Sequence, residues 1–534
     1  MTDGFVGDEV ATTTAGSTRL ARAASLLAAA TVASRMLGLV REIVVAALFG
    51  ASDAKAAYVI GYYVPFFVQR LLLGGTLSIV FIPTLADVMA RRDEAELRTV
   101  TTQLFSAVVV IGILMVVAGQ VVAPWLVPVA APGFVANPAQ LDLTISLTRL
   151  NFVSMFFLAA SVFATAYLQA RSLFTAPAIA PLVFNVLTIL GTLWLGPRLG
   201  ITGLAVAWII GTAAQFFAQA PALRAAGFRY GLTLRWTHPA MRTVARLAVP
   251  AMLGLAIVEI NAYVGRFFAS LLPTVPGVNA VAALDYAYSI AQAPVGILAI
   301  SVATVLFPGM SQLAAAGDRE ALGRTTSVGL RSVLFLMLPV SAGLMLFATP
   351  VVRLLFERGE FDPGATVAVA ACLIAYAAAL VPMAAYYVIT RTYYALHNMR
   401  TPVATGAGMV VLNALLAAVL MWVLGVAGIA AATSIVSFIN VGLLLWLLRA
   451  SLGGLEGQRI IAGLARVVLA TVLAMVVWWI VMRTGLPLPL GRAAEAVHLV
   501  VAGGLASAVY LGACVALRVE EVDLLRALLR RRSS

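Results

Sequence analysis

Long apolar runs recur along the whole chain and constrain its fold more than any other feature. An apolar run of about 20 residues is long enough to cross the hydrocarbon core as an α-helix. A transmembrane β-barrel would instead show short segments of alternating polarity, a pattern that this sequence lacks. The sequence therefore predicts an all-α polytopic membrane protein with about 14 transmembrane helices. The runs fall at about 24–50, 56–86, 102–130, 144–170, 175–196, 200–222, 244–272, 279–313, 329–349, 364–390, 402–424, 427–448, 461–482 and 494–517.

Composition agrees with a membrane protein and excludes several other classes. Apolar residues make up 62% of the chain and charged residues 11%, whereas soluble domains are about 25% charged. The net charge of +13 comes almost entirely from arginine, since Lys55 is the only lysine. In a membrane protein this charge indicates cytoplasmic loops and not a nucleic-acid partner. Cys372 and Cys514 lie in separate apolar runs, which argues against a disulfide framework or a zinc site.

The distribution of arginine predicts the topology. Connections 87–101, 223–243 and 314–328 carry several arginines, while the alternate connections 131–142 and 273–278 carry none. Cytoplasmic loops are enriched in Lys and Arg. We therefore expect both termini to be cytoplasmic.

An internal repeat divides the chain. LGITGLAVA at 199–207 recurs as LGVAGIAAA at 424–432, and DEAEL at 93–97 recurs as DREAL at 318–322, in both cases 225 positions later. Six helices separate the copies, so the two halves have parallel topology, as in secondary transporters with a site between two lobes. The predicted organisation is a disordered cytoplasmic N-terminus (1–23), an N-lobe (24–230), a C-lobe (231–450), two further helices (451–517) and a basic cytoplasmic tail (518–534).

The first helix carries charges at membrane depth. Arg35 and Glu42 lie seven residues apart and share a face, while Arg41 points about 120° away. Charges in a membrane helix are costly and usually face a polar interior. We predict that Arg35 and Arg41, together with Arg70 of the second helix, line a wet central cavity that binds an anionic lipid head group. The alternative is that Arg35 reaches the cytoplasmic interface and Arg41 pairs with a neighbouring acid.

The second helix combines a cation with helix-breaking residues. Pro65 precedes Arg70, and Gly74 and Gly75 follow it. Proline and paired glycines mark kinks or broken segments in buried helices, although membrane helices also tolerate them without a functional role. We predict hinges here, at Gly38 and at Pro294.

The seventh helix contains Glu259, Asn261 and Arg266. Glu259 and Arg266 are about 10 Å apart along the helix axis, too far for a direct pair. Each therefore needs a partner from another helix or from water. Arg266 is a candidate cavity residue, and a structural ion pair is the alternative.

The sequence lacks a catalytic constellation. HExxH, P-loop and GxSxG motifs are absent, and His238, His397 and His498 are scattered. Most aspartates, Asp285 among them, are assigned to helix ends or loops. We predict a transporter that is not an enzyme, has no cofactor, and is coupled to the membrane potential or to an ion. A membrane-embedded glycosyl- or phosphotransferase is the rival class, but it would need acidic metal ligands.

Several motifs resemble the MurJ/MviN lipid II flippases of the MOP exporter superfamily. They are SRMLGLVRE (34–42), FIPTLADV (81–88), LQARSLFTAPAIAPLVFN (168–185), GITGLAVAWIIGTAAQ (200–215), PALRAAGFRY (221–230), PVGILAISVATVLFP (294–308) and RTYYALHNMRTPV (391–403). The resemblance covers roughly residues 24–450. It implies two six-helix lobes, functional cavity arginines at Arg35 and Arg41, and a groove at helices 13 and 14 for the lipid tail.

The chain departs from the family pattern at charged positions. Gln69 replaces the first arginine of a helix 2 pair, so that Arg70 remains alone. Ala56 replaces an aspartate, Gly74 a glutamate, and Ser289 the arginine of helix 8. We hypothesise that Arg266 compensates for the missing cation. Glu42, Glu259, Asn261, Gln69 and Ser289 are then candidate cavity or gating residues.

The resemblance implies a flippase that moves undecaprenyl-pyrophosphate-linked peptidoglycan precursor, lipid II, from the inner to the outer leaflet by alternating access. Its expected partners are lipid II and membrane lipid. A pyrophosphate needs cationic partners before it leaves water, and the arginines can supply them. The alternatives are export of another polyprenyl-linked glycan or a drug, and a non-transporting cell-wall scaffold that has lost cavity cations.

Overall fold

A computed structural model describes residues 29–74, 94–233, 235, 237–484 and 492–523 of the chain. Each of the predicted apolar runs contains helical structure, and within the described ranges the only β-structure consists of isolated bridges. Among the described residues, ten helices are long and apolar enough to cross a membrane, and a pair of helices bent by 42° would make eleven. The fold is therefore an all-α, multi-pass membrane protein, as predicted. The predicted N-terminal segment 1–23, Gly75, and 524–534 of the predicted tail lie outside the described residues.

The helices are α1 (29–49), α2 (Asp53–Gln69), α3 (Glu94–Ala130), α4 (Pro138–Ala170), α5 (Thr175–Leu199), α6 (Ile201–Phe217), α7 (Ala220–Ala225), α8 (Pro239–Leu271), α9 (Ala280–Pro294), α10 (Ile300–Ala315), α11 (Arg319–Leu346), α12 (Ala348–Phe356), α13 (Pro363–Ala378), α14 (Leu380–Ala395), α15 (Arg400–Leu424), α16 (Val426–Leu452), α17 (Gly457–Thr484) and α18 (Arg492–Ala516).

The chain forms two compact bodies. The first contains the described parts of Met1–Phe49 and Asp53–Glu259, and the second contains Gly50–Ser52 and the described parts of Ile260–Ser534. In the first body, apolar side chains of α1, α2, α4 and α6 pack together, among them Val45, Tyr58, Leu147 and Leu204. This packing fixes the charged helix α1 against its neighbours.

The structure repeats with the register seen in the sequence. α5 and α15 begin and end 225 positions apart, and so do the π-helical segments Arg70–Gly74 and Val295–Ala299. The helix caps repeat as well. The side chain of Asn137 accepts a hydrogen bond from the backbone N–H three residues later, and Asp362 does the same 225 positions further on. The two halves therefore share helix boundaries, π-helical segments and a helix cap at matched positions.

Glycines at matched positions let two helices approach closely in each half. A Cβ on Gly203 would lie 2.5 Å from the backbone oxygen of Leu195, and a Cβ on Gly428 would overlap the backbone oxygen of Leu420. The turns before them contain Gly200 at φ 60° and Gly425 at φ 58°, a region that glycine enters without steric cost. These glycines produce the tight hairpins α5–α6 and α15–α16.

The predicted hinges at Pro294 and Gly74 are associated with π-helical segments. Val295–Ala299 directly follows Pro294, and Arg70–Gly74 begins five residues after Pro65. π-helical turns occur at kinks and often at functional sites. Gly38 instead lies inside the unbroken helix α1, where an added Cβ would be 3.9 Å from Asn185 Oδ1. The hinge roles remain predictions.

The last two helices, α17 and α18, pack against α11 in the second body. The ring of Trp478 stacks on Phe347 with 4.3 Å between centroids, and Tyr510 Oη donates a hydrogen bond of 2.6 Å to Phe335 O. Arg331 of α11 forms ion pairs with Glu520 and Glu521, which follow α18. Apolar packing and ion pairs together attach α17 and α18 to this body.

Candidate functional site

Helix α1 carries a compact charged cluster in the first body. Arg41 Nη2 lies 3.1 Å from Glu42 Oε1, and Lys55 Nζ lies 3.3 Å from Glu42 Oε2. Lys55 is in the first turn of α2 and only 2% exposed. The pairing of Arg41 with a neighbouring acid is the alternative that the sequence left open. The two oxygens of one carboxylate are thus divided between two cations.

Arg41 is also held by uncharged groups from two other helices. Its Nη1 donates a hydrogen bond of 3.1 Å to Asn185 Oδ1 on α5. Its guanidinium lies 4.7 Å from the ring centroid of Trp208 on α6 and 5.7 Å from that of Phe184. Cation–π contacts of this kind are worth about 0.5–2 kcal/mol each. The cation therefore has a fixed position.

Arg35 lines a pocket in the same body. The pocket has a volume of about 340 Å³ and lies between α1 and the start of α5. Arg35 Nε is buried, and within the described part of the chain no hydrogen bond or ion pair holds this guanidinium. The other lining residues are small or apolar, apart from two hydroxyls: Ala30, Thr31, Ser34, Pro177, Ala178 and Pro181. The pocket thus combines one available cation with a mostly apolar wall.

Asn185 connects the pocket to the charged cluster. Its amide nitrogen lies 3.2 Å from Ser34 Oγ on the pocket wall and 2.9 Å from Pro181 O, and donates to both. Its amide oxygen accepts from Arg41. One buried side chain therefore fixes Arg41 relative to the wall that Arg35 lines.

Arg70 and Glu259 form an ion pair at the end of α2. Arg70 Nε lies 2.8 Å from Glu259 Oε1, and the arginine side chain is 46% exposed. Arg70 also lies 5.6 Å from the ring centroid of Phe66, and the neighbouring Gln69 is buried. Glu259 thus has the partner from another helix that the sequence required.

The predicted residues of the second body lie in two polar contacts. Arg266 Nη2 lies 3.1 Å from Asp285 Oδ1, and its Nη1 donates to Ala262 O at 2.6 Å. Asn261 Oδ1 accepts a hydrogen bond of 3.0 Å from the amide of Asn413. Asp285 lies inside α9 and pairs with a buried arginine, so its assignment to a helix end or loop was wrong.

Ser289, the residue at the position of the family's helix 8 arginine, makes a local contact. Its hydroxyl donates a hydrogen bond of 2.8 Å to Tyr286 O, one turn earlier in the same helix. Serine hydroxyls often return to the preceding turn in this way. Ser289 lies on the same helix, α9, as Asp285, the acid that pairs with Arg266.

Sequence reasoning did not assign Lys55, Asp285 or Trp208 to the site. A signal for Lys55 was present, because it is the only lysine in the chain. The repeat carries a signal for the arginines instead, since Arg41 and Arg266 are 225 positions apart. Across the described ranges, no three His, Cys, Asp or Glu side chains come together as a metal site.

Comparison with known proteins identifies the family. The family model described as lipid II flippase MurJ matches residues 45–489, more than half of the chain. A probable lipid II flippase MurJ of Vibrio cholerae is 29% identical over 439 residues, which cover 80% of this chain and 82% of the relative. A lipid II flippase MurJ of Burkholderia cenocepacia is 28% identical, with 80% and 83% covered.

Solved structures agree on the fold. A lipid II flippase MurJ in an inward closed conformation superposes with a TM-score of 0.76 at 23% identity, covering 94% of this chain and 99% of that one. An inward-facing multidrug resistance MATE family transporter of the MOP superfamily gives a TM-score of 0.66 at 15% identity, with 79% and 96% covered. The structures share the MOP-type helical fold, and the match of the family model extends over most of the chain. The chain therefore belongs to the MurJ family of lipid II flippases.

Proposed function

We propose that this chain moves lipid II from the inner to the outer leaflet of the bacterial inner membrane by alternating access, with both termini in the cytoplasm. Membership of the MurJ family supports the substrate, and the apolar helices support the location. Two repeated halves with matched π-helical segments suit a protein whose lobes rearrange around a site.

The observation that carries the proposal is the available cation of Arg35. A guanidinium has five N–H donors in a planar arrangement that matches phosphate oxygens. Arg35 offers such donors beside a pocket of about 340 Å³, and within the described residues no acid competes for them. A diphosphate that enters this pocket would replace water with charge-assisted hydrogen bonds, while the apolar wall suits the start of a polyprenyl chain.

Arg41 and Arg70 are in a different state, because each already pairs with a carboxylate. Their contribution to the site requires the carboxylate to share the cation with the substrate or to release it. Arg35 therefore binds the pyrophosphate first, and Arg41 acts as the second cation. The role of Arg266 as a compensating cavity cation is a further part of the proposal.

Energy for transport comes from the membrane potential or from an ion gradient. Moving one elementary charge across 100 mV is worth about 2.3 kcal/mol. The sequence contains no P-loop motif for nucleotide binding, so we infer that one of these two sources drives transport.

The direct test is lipid II translocation by the purified chain in vesicles, with and without a membrane potential. We expect accessible lipid II to accumulate in the opposite leaflet, and Arg35→Ala to reduce the rate at least tenfold. Arg198→Ala is the matched control, because Arg198 is a surface arginine of the same body that contacts Trp194. A rate equal to that of empty vesicles would refute the proposal.

Two further outcomes identify the alternatives. Transport of another polyprenyl-linked glycan in place of lipid II would make the chain an exporter with a different substrate. The chain would be a scaffold if it supported the growth of cells without translocating lipid II, and if Arg35→Ala and Arg41→Ala left that growth unchanged. Survival of cells depleted of their native flippase provides the corresponding test in cells.

A further inference from the structure

Lys55 is chemically distinct from every other cation of the chain. The remaining 34 of the 35 basic residues are arginines. Lys55 is 2% exposed, its Nζ is 3.3 Å from Glu42 Oε2, and it lies 5.9 Å from the ring centroid of Tyr58. Burying an ammonium group is costly unless it is paired. The ion pair with Glu42 offsets that cost and makes Glu42 the group on which Lys55 acts.

The partner that Lys55 shares with Arg41 is Glu42. Each carboxylate oxygen contacts a different cation, at 3.1 Å and 3.3 Å. A carboxylate next to one arginine alone favours a two-point contact with the guanidinium fork. Here the second oxygen of Glu42 lies next to Lys55 instead. The Arg41 guanidinium is therefore only partly engaged by the acid.

The matched part of the second body has a different arrangement. Position 280, which corresponds to Lys55 in the repeat, is alanine, and position 267, which corresponds to Glu42, is phenylalanine. The matched arginine, Arg266, pairs with Asp285 from another helix. The carboxylate shared between lysine and arginine is thus specific to the first half.

We propose that Lys55 is a positioning residue for anion binding: it holds one oxygen of Glu42 and so keeps the Arg41 guanidinium available to a phosphate or diphosphate group. The inference rests on the proposed function, since it concerns the cation that would contact the lipid II pyrophosphate. Lys55 itself need not contact the substrate. It acts through the carboxylate.

The test uses two substitutions in the full purified chain and inorganic pyrophosphate as the probe. Lys55→Met keeps the apolar stem and removes the charge, so that Glu42 turns both oxygens to Arg41. Glu42→Gln removes the acid. The double variant leaves Arg41 without Glu42, while Asn185, Trp208 and Phe184 still hold it in place.

The measurement is the pyrophosphate concentration that gives half of the maximal thermal stabilisation in detergent. Lys55→Met should raise it about tenfold, the effect expected when Glu42 takes from the anion about one charge-assisted hydrogen bond of the Arg41 guanidinium. The double variant should return to within about threefold of the unchanged chain, because the competing acid is gone. A purely structural lysine would not give this recovery. Arg198→Met, which removes one positive charge elsewhere in the same body, should leave the value unchanged.

Three results would overturn the inference: no saturable stabilisation of the unchanged chain, a normal value for Lys55→Met, or a double variant no better than Lys55→Met. Lipid II translocation by the same preparations tests the proposed function separately. If the pyrophosphate pattern appears without translocation, the proposed function fails while the role of Lys55 stands.

Discussion

Replacing Arg331 by methionine tests how the last two helices are attached to the second body. Arg331 Nη1 lies 2.5 Å from Glu520 Oε2 and 3.3 Å from Glu521 Oε1. The side chains of Arg331 and Glu521 are 8% and 4% exposed, while that of Glu520 is 60% exposed. The buried partner, Glu521, therefore determines the energetic consequence.

Arg331→Met leaves the Glu521 carboxylate buried without this cation. Removing one partner of a buried ion pair costs about 3–5 kcal/mol of unfolding free energy. The exposed Glu520 adds at most about 1 kcal/mol, because water and salt screen it. We therefore expect Arg331→Met to destabilise the protein by about 3–5 kcal/mol.

The double variant Arg331→Met/Glu521→Gln makes the prediction specific. Arg331 Nε and Glu521 Oε1 are both buried without a hydrogen-bond partner in the described part of the chain, so the pair is incompletely satisfied. Replacing both members of such a pair is often neutral. The double variant should therefore lie within about 1 kcal/mol of the unchanged chain.

The assay is unfolding by sodium dodecyl sulfate in mixed micelles, followed by circular dichroism. Arg353→Met is the matched control, since its ion pair with Glu357 is on the surface with the arginine side chain 48% exposed. We expect a change of less than about 1 kcal/mol for the control. A buried ion pair of this kind is excluded if Arg331→Met destabilises the protein no more than Arg353→Met does, or if the loss in the double variant equals the sum of the losses in the two single variants.

Three further predictions concern Glu520, Gly428 and Lys55. The Arg331 guanidinium holds the pKa of Glu520 below its ordinary value of 4.5, so this contact stabilises the fold above that pH and is lost as the pH falls through the lowered pKa. In Glu520→Gln, the unfolding midpoint should no longer fall with pH through the titration of this carboxylate. Gly428→Val places a side chain on the backbone of Leu420 and should lower the melting temperature in detergent, whereas Gly442→Ala, which meets nothing within 4 Å, should not. Amine acylation should modify Lys55 slowly, and faster in Glu42→Gln, as measured by mass spectrometry of the peptide that contains it.

The helices and the repeat were predictable because they depend on local composition. Apolar runs of membrane-spanning length specify helices regardless of the partners they meet. The turns at Gly200 and Gly425 repeat because the same short motif meets the same steric requirement in both halves. Backbone architecture was therefore accessible from the sequence alone.

The partners of the charged side chains were less predictable, because they depend on packing between helices distant in sequence. The sequence showed that Glu259 and Arg266 are too far apart to pair, but not that Arg70 and Asp285 are their partners. Asp285 lies near the start of an apolar run, where a capping role is the usual assignment. Only the packing of α9 against α8 distinguishes capping from an ion pair.

The repeat also indicates which member of each ion pair is constrained. Arg41 and Arg266 occupy matched positions, but the acids that pair with them do not: Glu42 follows Arg41 on the same helix, whereas Asp285 is on the next helix, at the position matched by Ile60. If the two halves required only a buried ion pair, either charge could have moved to any contacting position. The arginine keeps its place while the acid changes helix. The constraint therefore falls on the location of the cation, as expected if the guanidinium has a task beyond neutralising a carboxylate.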